Sequence, residues 1–169
     1  LKHPYIGGII LFSRNLVSVD QIKELIRKIK SLRSPSLIVY VDQEGGRVQR
    51  FKEGMTLLPS ISLLGEKYIA DSDEAFLIAR GLGWLTGFEL TSIGIDVNTS
   101  PVLDINFKRS NIMADRCFSE KPKTVSLLAE SFILGSKESG ISSICKHYPG
   151  HGFAKVDSHK KPVSYTHLT

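Results

Sequence analysis

The densest chemistry in this sequence lies between Lys146 and His159, KHYPGHGFAKVDSH. Three histidines, Lys146 and Asp157 fall in one short stretch, and Pro149, Gly150 and Gly152 turn the chain between them. The stretch follows an apolar run, Ile141 to Cys145, so it reads as a loop presented at the end of a buried strand. Asp157 and His159 are one residue apart and can fold toward each other. A carboxylate that accepts from one imidazole nitrogen fixes the tautomer, stabilises the imidazolium and frees the second nitrogen for proton transfer. Imidazole titrates near neutrality and so serves as both acid and base. The same two residues also fit a solvated surface loop with no chemistry in it.

Lys146 and His147 come directly after the strand. They suit hydrogen bonding to substrate hydroxyls, or equally a surface lysine beside a histidine satisfied by backbone. His147, His151 and His159 form a zinc ligand set by residue type alone. Pro149 and Gly150 argue against a helix carrying the first pair, and no H-E-x-x-H is present. Farther upstream, Asp42 ends another apolar run, Leu37 to Val41, and a Gly45-Gly46 turn separates it from Arg50. A carboxylate at a strand end can take two hydroxyls of a sugar, and an arginine can clamp a carboxylate or a hydroxyl. An ion pair that stabilises the loop explains Asp42 and Arg50 as well. Asp115-Arg116 poses the same choice. The absence of G-x-S-x-G leaves a serine hydrolase without support.

These residues need a scaffold, and the hydrophobic pattern supplies one. Gly8 to Phe12 is a continuous apolar run, the signature of a strand buried on both faces. Ser18 with Gln21 three residues on is a capping-box pattern, and Ile22, Leu25, Ile26, Ile29 and Leu32 then form one stripe up to Pro35. Leu37 to Val41 is the second strand. Phe51 to Ser72 reads as an irregular connection, and Asp73 to Leu90 as a helix on the period of Ala75, Ala79, Leu82 and Leu85. Gly81, Gly83 and Gly87 weaken that helix by propensity. Ile95 to Asn98 is the third strand, with Pro101 to Ile105 an irregular extension and Asn106 to Glu120 a polar loop. Pro122 opens the next helix, Val125, Leu128, Ala129, Phe132 and Ile133 give its stripe, and Gly140 caps it. Ile141 to Cys145 is the fourth strand, with Cys145 a small core residue.

Strands alternating with helices imply parallel pairing through right-handed crossovers, in an open doubly wound sheet or a (β/α)8 barrel. No G-x-G-x-x-G follows the first strand, which disfavours the dinucleotide fold. A barrel takes ~250 residues, so four strands amount to part of one. The 169 residues suffice for one domain with a core. The net charge of +5 is spread along the chain, which gives no support to a nucleic-acid partner. Two distant cysteines suggest neither a disulfide framework nor a cysteine zinc site, and point to a reducing compartment. No run approaches the ~20 apolar residues of a membrane helix, and no leader is visible.

Four ordered motifs resemble glycoside hydrolase family 3. They are HPYIGGIILFSRN (His3 to Asn15), VDQEGGRVQRF (Val41 to Phe51), ADRCF (Ala114 to Phe118) and KHYPGHG followed by DSH (Lys146 to His159). The Pro-Gly-His-Gly run and the dyad after it are similar to the β-N-acetylhexosaminidase branch, the enzymes of bacterial cell-wall recycling. The resemblance implies an α/β fold, a TIM (β/α)8 barrel incomplete in this chain at about four βα units. Residues 1–162 would be the partial barrel domain and residues 163–169 a tail outside the family pattern. The implied reaction is hydrolysis of terminal, non-reducing β-linked N-acetylglucosamine with retention, as in muropeptides derived from peptidoglycan. By the same resemblance Asp42, Arg50, Arg116, Lys146 and His147 hold the sugar. Asp157 and His159 form an acid/base dyad in which His159 replaces the more usual carboxylate. The family's nucleophile is an Asp in an Asp-Asp-Leu-x-Met segment, which this chain lacks, so the isolated chain is expected to be inactive. The resemblance further implies no metal or organic cofactor, no nucleic-acid or membrane partner, and a cytoplasmic enzyme that is monomeric when complete. The alternatives are a family 3 glycosidase of other sugar preference and a catalytically silent sugar-binding fragment.

Overall fold

In the computed structural model, which describes residues 1–156, strand β1 (Gly8–Leu11) leads through helix α1 (Val19–Lys30) to strand β2 (Ile38–Val41). A hairpin of β3 (Gln43–Gly45) and β4 (Val48–Gln49) follows, then helices α2 (Ser62–Ala70) and α3 (Ser72–Ser92). Strand β5 (Val97–Asn98), helix α4 (Pro122–Glu138) and strand β6 (Ser142–Ser143) complete the elements. The four-stranded sheet runs β1-β2-β5-β6, with every pair parallel. A doubly wound sheet reverses its strand order at a switch point. These strands instead follow one another in chain order, as staves of a barrel do, and they form an arc that does not close among the described residues.

The local chemistry explains the elements. Ser18 caps α1 by accepting from the Gln21 N–H at 3.1 Å, and the Gln21 side chain accepts from the Val17 N–H at 2.9 Å. The expected stripe of α1 faces the sheet. Ile22, Ile26 and Ile29 are buried against Val39 and Val41, and Leu25 and Leu32 pack at the margin. Asp71 caps α3 through the Glu74 N–H at 3.0 Å. A second core under α2, α3 and α4 gathers Leu64, Ala75, Ala79, Leu128 and Phe132.

Three expectations are corrected. Phe51 to Ser72 is not wholly irregular, because α2 lies within it. Gly65 lies within α2, where a Cβ would lie 1.7 Å from the Phe118 carbonyl oxygen, so only glycine allows that close contact. The Asn106 to Glu120 loop is not simply polar, since Met113, Cys117 and Phe118 belong to the second core. Cys145 is exposed rather than buried, because β6 is the last strand in the sheet order and no further strand pairs with its outer edge among the described residues.

The helical glycines that lower propensity in α3 set the distance between α3 and α4. A Cβ on Gly83 would meet the Phe132 carbonyl oxygen at 2.0 Å, and one on Gly135 the Arg80 carbonyl oxygen at 1.9 Å. Backbone cannot rotate away as a side chain can. Gly135→Ala is therefore expected to destabilise the fold by about 3 kcal/mol, the upper end of overpacking costs. Gly81→Ala, where a Cβ meets nothing within 4 Å, is expected to stabilise by up to ~1 kcal/mol through helix propensity. Urea midpoints of the two variants should move in opposite directions, and a Gly135→Ala midpoint at or above wild type would contradict this account of the packing.

Candidate functional site

Asp42 lies at the C-terminal end of β2, and a buried amide network fixes the hairpin that follows it. The Gln43 N–H donates to the Asn98 side-chain oxygen and the Asn98 amide donates back to the Gln43 carbonyl, both at 3.0 Å. The Gln43 side chain in turn brackets Phe51, donating to its carbonyl at 2.8 Å and accepting from its N–H at 3.0 Å. Side chains alternate along an extended chain. With Gln43 turned into the core, Asp42 and Glu44 on either side of it both reach Lys146.

Those contacts make a closed ionic network. Lys146 Nζ lies 2.8 Å from Asp42 Oδ1 and 2.6 Å from Glu44 Oε1. Arg50 donates to Asp42 Oδ2 at 3.2 Å, and Thr99, just past β5, donates its hydroxyl to Asp42 Oδ1. Arg116, on a short 3-10 turn over Ala114–Arg116, makes a two-pronged pair with Glu44 at 2.8 Å on each arm. Burial works to raise the Asp42 carboxyl, but hydrogen bonds from Lys146, Thr99 and Arg50 outweigh it and bring it down to about 2. Burial likewise opposes the charge on Arg116, and the Glu44 pair overcomes it and holds the guanidinium above its ordinary range. Asp42 and Arg116 are therefore held in their charged forms, and the cluster presents fixed donors and acceptors at the C-terminal ends of parallel strands, where α/β folds hold ligands.

The loop after β6 is seated on the extension of β5. Val102 bridges Lys146 in parallel register, the Leu103 N–H donates to the Lys146 carbonyl at 2.7 Å, and the Lys146 N–H donates to the Pro101 carbonyl at 3.3 Å. That register sets Asp104 against His147. Asp104 Oδ2 lies 2.6 Å from His147 Nδ1 and accepts from the His147 N–H at 3.2 Å, while Oδ1 accepts from the His151 N–H. Burial raises the Asp104 carboxyl, and these bonds more than reverse it, leaving the group below its usual range. A cavity of about 560 Å³ opens beside this pair, lined by Asp104, Lys146 and His147 with Leu103, Phe107 and Tyr148. Apolar walls with a few convergent polar groups are the common build of a small-molecule site.

Five of the residues singled out from sequence, Asp42, Arg50, Arg116, Lys146 and His147, thus converge on one end of the sheet. Asp157 and His159 lie outside the described residues. The His147 and His151 rings sit edge to face with centroids 5.7 Å apart, and no group of three or more candidate metal ligands occurs among the described residues. Asp115 turns to Arg47 at 2.6 Å and away from the cluster. Cys117, whose thiol burial pushes up to about 12, is no nucleophile. Sequence reasoning missed Glu44, Thr99 and Asp104. Glu44 was detectable from its two-residue spacing after Asp42, and Asp104 from its place at the end of the apolar Pro101-Val102-Leu103 run.

Comparison with known proteins follows the same lines. The family model for the glycosyl hydrolase family 3 N terminal domain matches residues 1–167. A beta-hexosaminidase of Chromobacterium violaceum is 45% identical over 159 residues, covering 94% of this chain and 44% of that protein. The crystal structure of NagZ from Neisseria gonorrhoeae superposes with a TM-score of 0.89 at 44% identity, over 92% of this chain and 46% of that one. A glycoside hydrolase family 3 beta-N-acetylglucosaminidase from Paenibacillus sp. gives a TM-score of 0.81 at 32% identity, over 90% of this chain and 29% of that one. The chain therefore spans less than half the length of these relatives.

Proposed function

Since the chain belongs to the glycosyl hydrolase family 3 N-terminal domain family, we propose that the protein it forms part of hydrolyses terminal, non-reducing β-linked N-acetylglucosamine. The observation that carries this reading is the salt-bridged cluster of Asp42, Glu44, Arg50, Arg116 and Lys146 beside His147 at the strand ends. A pyranose rim of hydroxyls needs donors and acceptors at fixed positions, and this cluster offers both while spending no reorganisation energy on binding. The relatives' names support the N-acetylhexosamine preference, and the NagZ of Neisseria gonorrhoeae was crystallised with N-trifluoroacetyl-D-glucosamine. In this proposal Asp42, Arg50, Arg116, Lys146 and His147 hold the terminal sugar. His159, oriented by Asp157, protonates the leaving oxygen and then activates water. A carboxylate outside these 169 residues forms the glycosyl-enzyme intermediate, so the outcome is retention. The natural substrate class is then a muropeptide, met by a cytoplasmic, monomeric enzyme.

A panel of aryl β-glycosides tests this on the full-length protein. The N-acetyl-β-glucosaminide is expected to turn over at least about 100-fold better in kcat/KM than the β-glucoside, because a site built to hold an amide rejects a ligand that lacks it. Preference for another sugar would replace the substrate, and calorimetric binding of N-acetylglucosamine without turnover would replace catalysis with sugar binding.

A further inference from the structure

We infer that Asp104 is the positioning residue for His147, holding its imidazole in the Nδ1–H tautomer so that Nε2 faces the substrate as a hydrogen-bond acceptor. The inference rests on the reading of His147 as a sugar holder and adds the atom and polarity of that contact. Asp104 is 4% exposed, and its side chain is turned entirely inward. It is fully committed to the motif loop, with one oxygen against both the His147 N–H and Nδ1 and the other on the His151 N–H. Two of these three partners are backbone donors, so the carboxylate must accept from each. The short contact to Nδ1 then requires a proton on that nitrogen, because two acceptors cannot share a contact of 2.6 Å.

The other charged groups nearby leave this arrangement intact. Lys146 is turned to Asp42 and Glu44, Arg116 is paired with Glu44, and the His151 ring meets His147 edge to face. With Nδ1 carrying the proton, the neutral ring offers a lone pair at Nε2 to the cavity it lines. The sugar hydroxyl opposite must therefore donate to Nε2, and its own oxygen remains free to accept from a cation of the cluster. Asparagine cannot reproduce this. Its amide has one acceptor oxygen for two backbone N–H groups, and turning its NH2 toward His147 requires a bare Nδ1 and a protonated Nε2.

Long-range 1H–15N correlation on full-length protein labelled at the histidine rings tests the assignment, with the His147 signals identified by their loss in His147→Gln. With the ring neutral, the wild type is expected to show a protonated Nδ1 and a bare Nε2. In Asp104→Asn the two should exchange character, with KM for the aryl N-acetyl-β-glucosaminide rising roughly ten- to hundred-fold as the hydroxyl loses its acceptor. A bare Nδ1 in the wild type overturns the proposal even if Asp104→Asn fails to fold. An unchanged tautomer in a folded Asp104→Asn overturns it as well. Failure of the wild type to bind or hydrolyse the N-acetylglucosaminide would strike the sugar-site reading instead, and the ring signals would still report on Asp104.

Discussion

Lys146→Met is expected to lower kcat/KM by ~100-fold or more and to cost the fold about 3 kcal/mol. The two losses have one source. Lys146 Nζ is the cation shared by Asp42 and Glu44, and both carboxylates are mostly or wholly withdrawn from water, at 16% and 2% side-chain exposure. Removing the lysine leaves each acid with one arginine, Arg50 for Asp42 and Arg116 for Glu44, so the acids stay paired but repel across the vacated position. Without that residual pairing the cost would sit at the top of the range for breaking a buried ion pair. The pH dependence identifies the mechanism. Asp42 ionises at about 2 in the folded protein, against an ordinary value of 3.8. A depressed carboxylate contributes stability above its unfolded value and loses it as pH falls through the folded one. The stability gap between wild type and Lys146→Met should therefore be full at neutral pH and shrink between about 4 and about 2. Lys146→Arg should recover stability better than activity, because a planar fork cannot serve the three acceptors that a single ammonium reaches here. Unfolding curves across that pH range and steady-state kinetics check both parts. A variant with kcat/KM within threefold of wild type would remove Lys146 from the sugar site.

Much of the scaffold was legible because its strands are uninterrupted apolar runs and its α1 and α4 stripes keep the helical period. Ile22, Ile26 and Ile29 face the core as the spacing requires, and Pro122 begins α4. What escaped was set by contact between segments distant in sequence. Gly65 and Gly135 are poor helix formers in isolation, and only the backbone of Phe118 or Arg80 pressed against them explains why nothing larger fits. The site divides in the same way. Asp42 and Lys146 stand where strands end, and sequence marks such places. Asp104 follows an irregular Pro-Val-Leu stretch, and its importance comes from the parallel register of Val102 with Lys146, a pairing across more than forty residues that no local pattern encodes. The exposure of Cys145 has a related reason, that an apolar run does not reveal that its strand stands at the edge of the sheet.

His159→Ala is expected to lower kcat/KM on a glycoside with a poor leaving group by roughly 10²- to 10⁴-fold, the usual contribution of a general acid. On an aryl glycoside whose phenol leaves readily the loss in the first step should be far smaller, because a leaving group that is already a stable anion gains little from protonation. The proposal assigns His159 two tasks, protonating the departing oxygen and then deprotonating water, so the variant should also release the glycosyl-enzyme slowly. With the activated substrate, the expected sign is a burst of phenol followed by slow turnover. A small external nucleophile such as azide, which needs no base, should speed that second phase. This separates His159 from the residues proposed to hold the sugar. In this proposal Arg116 and Lys146 contact the ring and not the bond that breaks, so their loss should weaken every substrate alike. Equal losses on the two leaving groups, with no burst and no response to azide, would assign His159 to binding and leave the acid to be found elsewhere.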